Sequence, residues 1–234
     1  MKLVVASTAL LNSLVYAGLS QQQALFNTLV ADKNITGTNR NIIDLYISED
    51  DRQYGCWCYL GADYKKGKSM PKDELDGFCK VLHDGYECAA IETPGCRAFE
   101  VDYQPVFSDD IVTECENNNP SADACALAAC KVESHFVHSV INAFFAGFAL
   151  DESYKHKNGF DTYNECPKMG GNPNPGMGGP NNGGGTPKQC CGEFPLVEIY
   201  KPNKHDCCNN VSVFNPSMQT CCDDGRAVNI GNSC

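Results

Sequence analysis

Sixteen cysteines in 234 residues constrain this chain more than any other feature. All of them lie from Cys56 onward, and Cys190-Cys191, Cys207-Cys208 and Cys221-Cys222 are adjacent pairs. Such a load is a liability in a reducing cytosol, whereas in an oxidising compartment an even count closes into bridges that staple a fold with a modest core. Zinc is the competing use of cysteine. The chain, however, lacks a CxxC...CxxC or CxxC...HxxxH arrangement, and adjacent cysteines are poor ligand spacing. The N-terminus points to the same compartment. Met1-Lys2 precedes an apolar run from Leu3 to Leu19, and Val15-Tyr16-Ala17 places small residues at the -3 and -1 positions of a cleavage site. Residues 1–20 therefore read as a signal peptide, too short and mixed for an anchor, and no later segment has the length to span a bilayer. The expectation is a secreted, extracellular protein, with glycosylation acceptors at Asn34 and Asn210.

Charge narrows the partners. The net charge is -11, from 29 acidic and 18 basic residues, and the longest basic run is Lys65-Lys66-Gly67-Lys68. This argues against nucleic acid and against electrostatic capture on strongly anionic membranes, and suits cation binding or a neutral lipid surface.

Periodicity divides the rest of the chain. Ala24, Leu25, Leu29 and Val30 form one stripe of a short helix, and 32–51 reads as a connector. Pro71 to Asp76 begins a long helix, with Ser69 as candidate N-cap, Pro71 in the first turn and acids at the positive end of the dipole. Pro94, Gly95 and Pro105 break regularity, leaving at most short strands between Phe99 and Phe107. From Ser121 the apolar residues Leu127, Phe136, Val137, Val140, Ile141 and Phe144 recur at steps of three and four, predicting a second long helix beside the first. Residues 167–189 collapse to Gly, Pro, Asn and Met and read as a flexible linker. The expected units are thus a domain at 21–166 and a module at 190–234, a small β-hairpin unit held by its bridges.

Two stretches carry candidate chemistry: Tyr54-Gly55-Cys56-Trp57-Cys58-Tyr59-Leu60-Gly61, and Leu75 to Asp84 ending in His83-Asp84. A glycine-containing loop held by cysteines can aim several carbonyls at one point, and an Asp on a nearby helix completes a hard-cation site. A histidine beside that Asp can act as general base on water, because its ordinary pKa lies near neutrality.

These residues resemble secreted calcium-dependent phospholipase A2, whose calcium loop reads YGCYCGxGG and whose helix carries DxCCxxHDxCY. The resemblance covers about half the chain. It implies a mainly α, disulfide-rich fold of antiparallel long helices with a calcium loop. It also implies Ca²⁺ held by the carbonyls of Trp57, Tyr59 and Gly61 and the side chain of Asp84, with His83 as general base. Cys125, Cys130 and Glu133 match the spacing of the family's second helical motif, which makes Glu133 the carboxylate orienting His83, and Tyr86 takes the place of a tyrosine near that carboxylate. The chain departs from the family at Tyr59, which replaces a glycine whose N-H helps hold the oxyanion. It also carries a longer loop from Asp63 to Met70 and one extra residue between Cys79 and His83. Cysteines that pair in the family are lost together, Phe78 with Ser139 and Tyr86 with Val132. The same mapping pairs Cys58 with Cys79 and Cys96 with Cys125, points Cys56 at Cys166, and leaves Cys88 and Cys115 competing for Cys130. Nine cysteines before the linker and seven after it imply one bridge between the parts. The paired cysteines of the tail resemble the di-cysteine repeats of galaxin-like extracellular matrix proteins.

Two functions follow as expectations. One is an interfacial esterase acting on the sn-2 ester of phospholipid at a membrane surface. The other is a non-catalytic, calcium-binding matrix or mineral-associated protein, meeting an extracellular matrix partner through its tail. His135 and His138, spaced i, i+3, read as packed or solvated rather than metal ligands, and Trp57 and the phenylalanines from Phe136 to Phe148 as core.

Overall fold

The computed structural model describes residues 53–59, 61–167 and 186–234. The expected signal peptide, the Ala24 to Val30 stripe, the connector with Asn34, and 168–185 of the expected linker lie outside the described residues.

Helix α1 spans Glu74–Glu92. It starts later than Ser69 and Pro71 suggested, because Asp73 is the cap: its carboxylate accepts the Asp76 N-H at 3.0 Å. Ser69 instead has a φ of 76°, outside helical geometry. Helix α2, Ile111–Asn118, was not foreshadowed by periodicity and is capped by Asp110. Helix α3, Ala124–Phe145, begins after Asp123, whose carboxylate accepts the Ala126 N-H at 2.8 Å. A fourth helix, α4, is the single turn Thr162–Glu165. The region from Phe99 to Phe107 forms no strand. It holds a 3₁₀ turn at Ala98–Glu100, and side chains take over the backbone pairing a sheet would have supplied: Ser134 Oγ accepts the Val106 N-H at 3.2 Å.

Helices α1 and α3 pack against each other and carry most of the core. They run antiparallel, since Gly85 meets Val132 while Cys96, just past the end of α1, is bridged to Cys125 near the start of α3. A Cβ at Gly85 would lie 2.6 Å from Val132, so glycine permits the close approach. Phe136, Val137 and Val140 are fully buried on the facing side of α3. Each such side chain contributes about 1.5–3 kcal/mol of burial.

Ahead of α1, strands β1 (Gln53–Tyr54) and β2 (Cys58–Tyr59) pair antiparallel and close the loop over its N-terminal end. From Gln189 onward stand three antiparallel hairpins: β3 (Gln189–Glu193) with β4 (Leu196–Tyr200), β5 (Asp206–Cys208) with β6 (Ser212–Phe214), and β7 (Gln219–Cys221) with β8 (Ala227–Asn229). Few side chains of this module are buried, Cys191, Val197, Cys208 and Cys222 among them. Bridges substitute for a core. Cys191–Cys207 and Cys208–Cys221 link each hairpin to the next, and Cys222–Cys234 ties the C-terminus to the third, across separations of 16, 13 and 12 residues. Loops of that size contribute about 3 kcal/mol each by constraining the unfolded chain.

All sixteen cysteines are paired. Cys58–Cys79, Cys96–Cys125 and Cys56–Cys166 form as the mapping implied. The competition for Cys130 goes to Cys115, and Cys88 instead reaches Cys190, making the one bridge between helical domain and module. The β3–β4 hairpin therefore lies against α1.

Candidate functional site

Asp76 organises the site although it touches none of its cavity. Fully buried, its carboxylate accepts the N-H groups of Cys56 at 2.8 Å, Trp57 at 2.7 Å and Lys72 at 2.9 Å. Gly55, with φ of 55°, is required here, because a Cβ would lie 2.4 Å from the Asp76 carboxyl carbon. Burial, foremost, holds the Asp76 carboxyl above its usual range, and the three N-H donors offset only part of that rise. Donors alone facing a carboxylate suit its ionised, acceptor-only form. The loop is clamped from its other side by His156, whose Nε2 lies 2.8 Å from the Gly55 carbonyl and Nδ1 3.2 Å from the Gln53 amide oxygen. Burial, foremost, holds this imidazole below its ordinary range.

One helical turn beyond Cys79, His83 and Asp84 are both buried, and His83 Nδ1 lies 3.3 Å from Asp84 Oδ1. A carboxylate only accepts, so this contact makes Nδ1 the donor and leaves the Nε2 lone pair as the basic position. Edge contacts with Trp57 at 4.9 Å and Tyr64 at 5.5 Å between centroids fix the ring. Lys80, one turn before Asp84, places Nζ 2.5 Å from Asp84 Oδ2 and lies over the Trp57 ring at 5.6 Å. The carboxylate thus already carries a cation.

Beneath this pair lies a second polar cluster. Glu133 is fully buried on α3 and accepts the Tyr86 hydroxyl at 2.6 Å and the Tyr103 hydroxyl through a short bond. The Tyr64 ring joins the two layers, packing on His83 and, at 5.3 Å, on Tyr86. Burial, reinforced by the charge of Glu87, raises the Tyr64 phenol above its usual range.

Of the residues singled out from sequence, His83, Asp84 and Trp57 line one cavity of about 600 Å³. Tyr86 and Glu133 do not line it: Glu133, expected to orient His83, accepts the hydroxyls of Tyr86 and Tyr103, and the carboxylate beside the His83 ring is that of Asp84. Tyr59 ends β2 and Gly61 opens a 3₁₀ helix at Gly61–Lys66; neither lines the cavity, and the Tyr59 N-H donates to the Trp57 carbonyl at 2.8 Å. His138 lies 3.3 Å from Asp109 and against Phe107, and half-buried His135 is held below its ordinary range by burial. Among the described residues no group of three or more His, Cys, Asp or Glu could hold a metal through side chains alone.

Sequence reasoning missed Asp76, Tyr103, Lys80 and His156. Lys80 alone left a legible signal, the i, i+4 spacing to Asp84. The far wall was also missed: Ile199, Tyr200, Lys201, Lys204 and His205 of the C-terminal module complete the cavity.

No family model, no curated protein and no solved structure matches this chain. Its eight bridges are typical of proteins that fold in oxidising compartments. No described helix is long and apolar enough to cross a membrane.

Proposed function

We propose that the chain is a secreted, calcium-dependent esterase of phospholipase A2 type, cleaving the sn-2 acyl ester of phospholipids with His83 as general base. The observation that carries this reading is the buried His83-Asp84 pair opening into a cavity beside a disulfide-held loop. Asp84 fits a calcium ligand, because it is a buried carboxylate whose present companion is a cation, the Lys80 ammonium. Trp57, Tyr59 and Gly61 would add carbonyl oxygens, and Lys80 would withdraw as calcium binds. The metal would supply Lewis-acid polarisation of the ester carbonyl. His83 takes the proton of the attacking water on Nε2, and Asp84 holds Nδ1 and stabilises the imidazolium that forms. Glu133, with Tyr86 and Tyr103, steadies the helix face from which His83 projects.

The test is release of fatty acid from phosphatidylcholine vesicles by the purified oxidised protein, with Ca²⁺ or with EGTA. The reading predicts release that requires Ca²⁺ and falls by at least about a hundredfold in His83→Gln, the usual worth of a general base. Release that ignores either change overturns it.

One feature favours a second reading, a non-catalytic calcium-binding protein of extracellular matrix or mineral. The relay of bridges from Cys191 to Cys234 builds a stiff module suited to assembly. Calcium binding abolished by Asp84→Asn, without turnover, would select it.

A further inference from the structure

The cavity above His83 is lined by Lys65, Lys80, Lys188, Lys201 and Lys204, in a chain whose net charge is -11. Its acids are already matched. Asp84 pairs with Lys80 at 2.5 Å, and Glu87 with Lys188 at 2.5 Å. Lys65, Lys201 and Lys204 are exposed and form no ion pair with any described carboxylate; Lys65 merely lies over the Tyr64 ring at 5.6 Å. The cleft thus keeps an excess of three ammonium groups beside the apolar surfaces of Trp57, Ile199 and Tyr200. Charge of one sign in a low-dielectric cleft concentrates the opposite charge there, whatever the sign of the whole molecule.

We propose that this cleft is a binding site for a phosphate-bearing amphiphile, and that the C-terminal module supplies its head-group wall, with Lys201 and Lys204 receiving the phosphate. The placement is built in. Cys88–Cys190 and the Lys188–Glu87 pair pin the hairpin to the same helix that carries His83 and Asp84. The wall therefore keeps a constant position relative to the reacting pair. The choice of amphiphile rather than free phosphate rests on the lipid-esterase reading and on the apolar side of the cleft; the phosphate itself is called for by the lysines.

The experiment measures binding of monomeric dihexanoyl phosphatidic acid, dihexanoylglycerol and inorganic phosphate to the full oxidised chain by calorimetry. It compares wild type, Lys201→Glu/Lys204→Glu, and a control, Arg97→Glu/Arg226→Glu, whose side chains are exposed and outside this cleft. Thermal unfolding verifies that all three fold alike. The expected result is that phosphatidic acid binds wild type and control alike, and the lysine variant at least about tenfold more weakly. Dihexanoylglycerol should bind weakly and insensitively to the variant. Equal binding of phosphatidic acid to the lysine variant overturns the proposal, as does inorganic phosphate matching phosphatidic acid, which would assign the cleft to the free ion. Fatty-acid release is recorded separately: binding with the expected lysine dependence but no hydrolysis leaves this site standing and removes the esterase.

Discussion

At the scale of residues, the site depends on groups whose charge is fixed by their neighbours. Asp76 accepts three backbone N-H groups, so Asp76→Asn would turn an amide NH₂ toward donors and leave buried hydrogen bonds unmade. About 2–3 kcal/mol of stability should be lost on denaturant unfolding, with the loop before α1 exchanging its amide hydrogens first. His156 sets a pH dependence. Because burial lowers its folded-state pKa, the neutral form stabilises the fold; that stability is fully present above the ordinary histidine range and is lost as pH falls through it. His135, lowered by the same cause, adds in the same direction. The melting temperature should therefore drop between about pH 8 and about pH 5, and the drop should shrink in His156→Gln. His83-Asp84 was readable in the sequence because a dipeptide on a helix after a Gly/Cys loop is a local pattern. Asp76 was not distinguished from the neighbouring acids of the first turn, since only the folded loop shows which acid receives the N-H groups. Tyr103 lies in an irregular segment without periodicity, so nothing local pointed it at Glu133.

At the scale of elements, the two long helices were legible from apolar spacing, and their starts were misplaced: Asp73 rather than Ser69 caps the first, and the second, expected from Ser121, begins at Ala124 where the Asp123 carboxylate accepts the Ala126 N-H. Their approach depends on Gly85. Gly85→Ala should push α1 from α3 at Val132 and cost about 1–3 kcal/mol in chemical unfolding, while adding Val132→Ala should recover part of the loss. Helix α2 was missed because its eight residues carry few apolar side chains, and its cap and the Cys115–Cys130 bridge hold it instead.

At the scale of the whole molecule, the sequence showed that one bridge must join the parts but not which. Cys88 lies 102 residues from Cys190, and local spacing says nothing about a contact that only the docked hairpin creates. Removing that bridge in Cys88→Ser/Cys190→Ser should let the module separate after protease cleavage within 168–185. The wild-type pieces should stay together until reduced, as non-reducing electrophoresis would show. The proposed calcium chemistry at Asp84 is tested by titrating free calcium while recording fatty-acid release. Wild type should saturate with calcium, Lys80→Gln should saturate at a lower concentration because the competing ammonium is gone, and Asp84→Asn should show no calcium-dependent release. Release by Asp84→Asn at the wild-type calcium response would contradict the account.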